Sequence, residues 1–141
     1  MTTQTIERTT LSNLVFNEEY CRKVLPFIKP DYFDVKEERV VFEEITNFVD
    51  KYKKIPTKIS LEIEVESRKD LTEDQHRKIV DIIQTLDSTD VDMEWLVDTT
   101  EKFCKDKAIY NAIVEGISII DGKDKNRSAD AIPSILTDAL A

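Results

Sequence analysis

Turn-forming residues are scarce in this chain of 141 residues, which has only two glycines and four prolines. Folds made entirely of β-strands need many tight turns, and those turns draw heavily on glycine and proline. The shortage therefore argues against an all-β fold and favours helices joined by short polar loops. The length is that of one domain, and it is sufficient to bury a core without disulfides or structural metals.

Residues that bind metals or attack substrates are also few. The single histidine, His76, stands in the first turn of a predicted helix, where we expect it to be exposed. The two cysteines, Cys21 and Cys104, have no CxxC spacing, so we expect them to be buried, reduced core residues. The sequence has no HExxH pattern and no nucleophile elbow. It therefore predicts no catalytic or metal-binding set.

An excess of positive charge is absent as well, since 20 Lys and Arg residues face 29 Asp and Glu residues, for a net charge of −9. Proteins that grip nucleic acid need a basic footprint, so the overall charge argues against such a surface. No apolar run approaches the roughly 20 residues of a membrane helix. The first ten residues lack the apolar core of a signal peptide. We therefore expect a cytoplasmic protein without a membrane partner.

What the chain does have is apolar residues at helical spacing along most of its length. Helix starts are predicted at three capping signals: Asn17, the pair Asp34 and Glu37, and the Thr72–Gln75 capping box. Residues 60–67, "SLEIEVES", alternate apolar and acidic residues as a strand does, but no second alternating segment exists to pair with them. We therefore predict a short helix there and an all-α fold.

The longest predicted helix runs from about Met93 to Ile120, and a last helix follows near Pro133. Nine of the thirteen positions in residues 108–120 are apolar, more than one packed face requires. The positions that recur every seven residues, or lie on the neighbouring seam, are Leu96, Phe103, Tyr110, Ile113, Ile117 and Ile120. This excess indicates burial against two neighbours, such as the last helix and another subunit. A central helix inside a monomeric core is the alternative, and both stay open.

The segment Glu115–Lys125, "EGISIIDGKDK", has some features of a phosphate-binding loop. That loop requires G-x-x-x-x-G-K-[ST] and opens a helix. Here five residues separate Gly116 from Gly122, and Lys123 is followed by Asp124. We therefore predict that Gly122 ends the long helix. An enzyme that binds ATP at this segment is kept as an alternative hypothesis.

Four segments in order resemble the N-terminal domain of the hexameric, DnaB-like replicative helicases of T-even-type phages. They are "LSNLVFNEEYCRKVLPFIKPDYFD", "VFEEITNFVDKY", "WLVDTTEKFCKDKAIYNA" and "AIPSILTDAL", and the similarity covers about Leu11 to Leu140. The resemblance implies an all-α fold, a small helical bundle followed by a long helical hairpin. It also divides the chain into a flexible N-terminus (1–10), a globular helical subdomain (11–90) and an oligomerisation hairpin (91–141), with the motor domain absent.

The resemblance further implies a function in subunit assembly. In this family the hairpins pair between subunits and form a collar above the motor ring. The residues expected at the hairpin interface are Leu96, Phe103, Tyr110, Ile113, Ile117 and Ile120 on the long helix, and Ile132, Ile135 and Leu136 on the returning one. Whether the collar is six-fold or three-fold stays open.

Partners and cofactors are implied in the same way. The expected partners are other copies in a hexamer, the phage primase, and single-stranded DNA through the parent ring, with a helicase loader as a further candidate. No cofactor is expected in this chain, because ATP and Mg²⁺ belong to the RecA-like motor that drives 5′-to-3′ unwinding. The alternative is a stand-alone acidic helical interaction module: an adaptor, a DNA mimic, or the helicase-binding domain of a primase.

Overall fold

A computed structural model describes residues 5–141, and over this range the chain is all α, as predicted. The α-helices are α1 (Ile6–Phe16), α2 (Glu18–Val24), α3 (Lys36–Tyr52), α4 (Lys58–Glu66), α5 (Glu73–Thr85), α6 (Met93–Ile120) and α7 (Ile132–Leu140). Short 3₁₀ helices at Leu25–Phe27, Pro30–Tyr32 and Ala129–Ala131 join some of them. The chain divides into two compact units, one ending at Thr100 and the other running from Glu101 to Ala141.

Two of the three predicted capping signals are confirmed. Asn17 Oδ1 accepts a hydrogen bond from the Tyr20 backbone N–H at 3.0 Å and starts α2. Thr72 and Gln75 form the reciprocal capping box of α5. The predicted pair of Asp34 and Glu37 is wrong: α3 takes Val35 as its N-cap, without a side-chain capping bond. The helix begins one residue later than predicted, so Glu37 is the second helical residue and not the third, which the capping box requires.

The predicted helix across residues 60–67 is confirmed as α4. A capping box of Thr57 and Ser60 starts it, and the helical period turns Leu61 and Val65 into the core. The expected flexible N-terminus does not extend through residues 6–10, which are the first turns of α1. Thr5 Oγ1 caps that helix by accepting a hydrogen bond from the Arg8 N–H at 3.2 Å. Residues 1–4 lie outside the described residues.

Aliphatic and aromatic side chains from several helices form the core of the first unit. Its largest buried members include Leu11, Leu14, Tyr20, Phe33, Phe42, Ile45, Leu61, Ile79, Ile83, Leu86 and Leu96. A buried hydrogen bond of 2.6 Å joins the Tyr20 hydroxyl to Thr100 Oγ1. Thr100 donates its own hydroxyl proton to the Leu96 carbonyl oxygen at 2.8 Å, so Tyr20 is the donor in the first bond. This bond ties α2 to the first turns of α6.

Both cysteines are buried and free, as predicted. Burial, with a smaller effect of Glu18, raises the pKa of the Cys21 thiol to about 11. Burial, with a smaller effect of Glu101, raises the pKa of Cys104 to about 12. Because thiolate is the reactive form, we expect neither cysteine to react readily near neutral pH.

The prediction of an exposed histidine is wrong. His76 is half-buried, and its Nε2 lies 3.0 Å from the Arg68 carbonyl oxygen. The ring therefore fastens the start of α5 to the turn after α4. Among residues 5–141 no group of three or more His, Cys, Asp or Glu side chains is arranged to hold a metal ion.

Candidate functional site

In the second unit, the C-terminal half of α6 exposes a row of large apolar side chains. Tyr110, Ile113, Val114, Ile117 and Ile120 are each between 47% and 70% exposed. Their spacing of three and four residues places them along one side of the helix. We call these five residues the outer face of α6.

The opposite side of the same helix is buried. Ala112, Gly116 and Ile119 lie there, together with Cys104 nearer the start of the unit. A Cβ atom built on Gly116 would lie 3.7 Å from Ile132 Cγ2, so α6 and α7 are in close contact at this point. The helix therefore has two apolar sides, as the composition of residues 108–120 predicted, and one of them is exposed.

The turn after α6 is defined by its backbone hydrogen bonds. Gly122 has φ +74°, and its N–H donates to the Ile119 carbonyl oxygen at 3.1 Å, while the Lys123 N–H donates to the Ser118 carbonyl oxygen at 3.0 Å. These two bonds form a Schellman motif, which satisfies carbonyl groups at the end of a helix. The prediction that Gly122 ends the helix is confirmed. Residues 117–120 are helical and do not form the loop that a phosphate site requires.

Charged side chains hold the loop between α6 and α7. Arg127 donates to Asp124 Oδ2 at 2.7 Å and also pairs with Glu115 of α6. The hydrogen bond from Arg127 holds the pKa of Asp124 below its ordinary value. Asp124 also accepts from the Asn126 N–H at 3.0 Å. These bonds fix the path from α6 to α7 without creating a free catalytic group.

Helix α7 adds two exposed leucines. Pro133 lies in its first turn, where proline is favoured because its missing N–H has no helical partner. Ile132 and Ile135 are half-buried. Leu136 and Leu140, four residues apart, are exposed.

The predicted interface residues have three different environments. Tyr110, Ile113, Ile117 and Ile120 lie together on the outer face of α6, and Leu136 is exposed on α7. Phe103, Ile132 and Ile135 are half-buried. Leu96 is 1% exposed and belongs to the core of the first unit, so it is not on the outer face.

Two exposed apolar residues of the second unit, Val114 and Leu140, were not among the predicted interface residues. Val114 follows Tyr110 by four residues, and Leu140 follows Leu136 by four residues. That helical spacing was the available signal. The seven-residue repeat did not include either residue, because a strict heptad selects a narrower stripe of positions than a packed helix face has.

The outer face can bury apolar surface but has no means of acid–base or nucleophilic catalysis. Five half-exposed side chains of this size present on the order of 400 Å² of apolar surface, a patch size that in monomers often marks an interaction site. Lys107 Nζ lies 5.1 Å from the centre of the Tyr110 ring, in a cation–π contact. Across residues 5–141, no helix combines the length and apolar character needed to cross a membrane. The outer face is therefore an exposed apolar patch along one side of α6.

Comparison with known proteins places this chain in a family. The model of the DnaB-like helicase N-terminal domain matches residues 2–98, which is more than half of the chain. The chain belongs to the DnaB-like helicase N-terminal domain family.

A curated relative supports the same conclusion. The chain is 29% identical over 139 residues to the DnaB-like replicative helicase of Enterobacteria phage T4, in a match that covers 93% of this chain. Because so little of the chain is left out, the similarity continues past residue 98 into the second unit. The chain spans 29% of the length of that helicase.

Proposed function

We propose that this domain assembles the subunits of a replicative DNA helicase, and that the outer face of α6 pairs with the outer face of a second copy. Membership in the DnaB-like N-terminal family supports the helicase context. The observation that carries the pairing is the exposed row of Tyr110, Ile113, Val114, Ile117 and Ile120. An isologous contact would use each of these residues twice, since two identical surfaces meet.

The expected strength of this pairing follows from the exposed fractions. Burying the exposed half of each side chain would contribute about 1 kcal/mol, so five residues on each of two copies give about 10 kcal/mol. Association costs roughly 4–15 kcal/mol in lost freedom of motion. We therefore expect the isolated domain to pair weakly, and a ring of the whole protein to supply the remaining stabilisation.

The wider function is proposed from the family and its relative. The domain would form part of a collar on a ring-shaped hexamer, in the host cytoplasm during phage DNA replication. A motor domain elsewhere in the protein would bind ATP and Mg²⁺ and unwind DNA, with single-stranded DNA passing through the ring. The phage primase would dock on the collar, and a helicase loader is a further proposed partner.

Sedimentation equilibrium over a wide concentration range tests the assembly role. The wild-type chain should show a mass that rises with concentration, whereas Tyr110→Asp with Ile117→Asp should remain monomeric because it places charges in the contact. Lys105→Asp is the matched control, since Lys105 is exposed on α6 but is not part of the outer face.

Two results would count against the proposal. One is a wild-type mass that stays monomeric at the highest concentration reached. The other is equal association by the wild type and the double variant, which would place any contact on a different surface. Circular dichroism spectra must show that the variants keep their helical content.

A further inference from the structure

Helix α4 exposes apolar side chains that the proposed assembly does not use. Ile59 is 70% exposed and Ile63 is 57% exposed, and their spacing of four residues aligns them on one side of the helix. The other side of α4 carries Leu61 and Val65, which are almost completely buried. Isoleucines that already had a neighbour in the first unit would not be this exposed. We call Ile59 and Ile63 the α4 stripe.

Carboxylates border the α4 stripe on both sides. At 100° per residue, Glu62 and Glu66 fall on one flank of the isoleucines and Glu64 falls on the other. Within residues 5–141, none of the three is in an ion pair. An apolar centre with acidic flanks is the result.

Two cations at the ends of α4 are bound by other groups. The one lysine of α4, Lys58, donates to the carbonyl oxygens of Gln84 and Leu86 at 2.8 and 3.0 Å, so its ammonium group caps the end of α5. Arg68, after the end of α4, is engaged by Asp70 and Glu43, at 2.7 and 3.2 Å. The α4 region thus combines exposed isoleucines with glutamates that are in no ion pair among residues 5–141.

We propose that the α4 stripe is a docking surface for a basic amphipathic helix of a partner protein. The apolar side of such a helix would cover Ile59 and Ile63, and its flanking lysines or arginines would pair with Glu62, Glu64 and Glu66. Helices that recognise one another commonly use apolar anchors at i and i+4 spacing, with charges at the rim that select the partner.

The charge distinguishes this partner from other occupants. A second copy of this chain has a net charge of −9, so pairing two α4 stripes would bring like charges together. Nucleic acid and anionic lipid surfaces are negatively charged and are repelled in the same way. An amphipathic, cationic protein segment is the class of partner that can both cover the isoleucines and pair with the carboxylates.

The test uses the whole chain and synthetic helical peptides. The binding peptide has leucines at i and i+4 spacing with lysines on both flanks; one control peptide replaces the lysines with glutamates, and another has a scrambled order. Binding is followed by peptide fluorescence anisotropy, and backbone amide NMR shifts locate the contact. Ile59→Ser with Ile63→Ser removes the apolar centre, and Glu62→Gln with Glu66→Gln removes one charged flank.

The lysine peptide should bind and shift the amides of residues 58–66, and the serine variant should weaken binding by about tenfold or more. The glutamine variant should weaken binding less and reduce its salt dependence. Val91→Ser and Glu101→Gln are the matched controls, because each alters an exposed residue of the same type outside α4.

The inference is overturned if the lysine peptide does not bind, if the glutamate or scrambled peptide binds equally well, or if the NMR shifts lie outside α4. It is also overturned if the serine variant changes self-association and not peptide binding, since the stripe would then contact a second copy. Pairing through α6 is a separate property. Repeating the peptide titration with the Tyr110→Asp, Ile117→Asp double variant separates peptide binding from self-association, because peptide binding should be unchanged in that variant.

Discussion

The two glycines of the chain should respond in opposite ways to replacement by alanine. Gly116 lies inside α6, and a Cβ atom there would meet Ile132 Cγ2 at 3.7 Å, an ordinary van der Waals distance. Glycine within a helix is less stable than alanine by roughly 0.5–1 kcal/mol. Gly116→Ala should therefore stabilise the second unit by about that amount.

Gly122 ends the same helix at φ +74°, with nothing within 4 Å of the position of a Cβ atom. An alanine there meets no neighbour, but the left-handed backbone costs a non-glycine residue about 1–2 kcal/mol. Gly122→Ala should therefore destabilise the second unit. The two variants should differ by about 2 kcal/mol, which corresponds to melting temperatures roughly 5–10 °C apart.

Thermal unfolding by circular dichroism gives the sign of each effect, and hydrogen exchange of residues 101–141 shows whether it is local to the second unit. The reasoning is refuted if Gly116→Ala is less stable than the wild type, or if Gly122→Ala is unchanged. A phosphate-binding loop predicts something different, because both glycines would then be needed for ATP binding. We expect that millimolar ATP does not shift the melting temperature of the wild type, of Gly116→Ala or of Gly122→Ala.

Two further predictions concern the first unit. Arg8 Nε lies 2.6 Å from Glu38 Oε2, with side chains 34% and 7% exposed. Arg8→Met should therefore lower the free energy of unfolding in urea by about 2 kcal/mol, because it leaves a buried carboxylate unpaired. Adding Glu38→Gln should recover part of that loss, and a loss below about 0.5 kcal/mol would contradict the prediction. Burial most strongly, and then Glu64 and Glu43, raise the pKa of Glu44. The Glu44 carboxyl group therefore keeps its proton to higher pH in the folded chain than in the unfolded chain, and its contribution to stability falls as pH rises through the raised pKa. Glu44→Gln should be more stable than the wild type at pH 7. A less stable variant would show that the charge on Glu44 is favourable.

Local sequence signals predicted the helices well where one pattern dominated. The capping box at Thr72 and Gln75 identified the start of α5, and helical spacing gave both ends of α6. The pair Asp34 and Glu37 failed because a capping pattern does not fix which residue leaves the extended backbone first. Val35 keeps an extended backbone (φ −82°, ψ 121°) and the helix begins at Lys36, so the register moved by one residue.

Helix α4 shows why a short alternating segment is ambiguous. Alternation with a period of two also places residues four apart, so Leu61 with Val65 and Ile59 with Ile63 each form a helical pair. Only the packing of α4 decides which pair is buried. The structure buries the first pair and exposes the second.

The candidate interface was predicted in part for a similar reason. The apolar excess in residues 108–120 indicated two apolar sides; the structure buries one of them and leaves the other exposed. The seven-residue repeat added Leu96 to the same seam, but on a straight helix that repeat drifts by about 20° each time. The sequence also gives no sign that the first unit ends near Thr100 and covers Leu96 with its own core.

Site-specific cross-linking tests most directly whether two copies meet at the outer face of α6. Ile117→Cys introduces an exposed thiol, while Cys21 and Cys104 stay unreactive because burial raises their pKa values to about 11 and 12. With a short bis-maleimide reagent, Ile117→Cys should give covalent dimers in a yield that rises with concentration, and the Lys105→Cys control should remain largely monomeric. Equal dimer yields for the two variants, or no dimer from Ile117→Cys at concentrations where the wild type associates, would contradict the proposed interface.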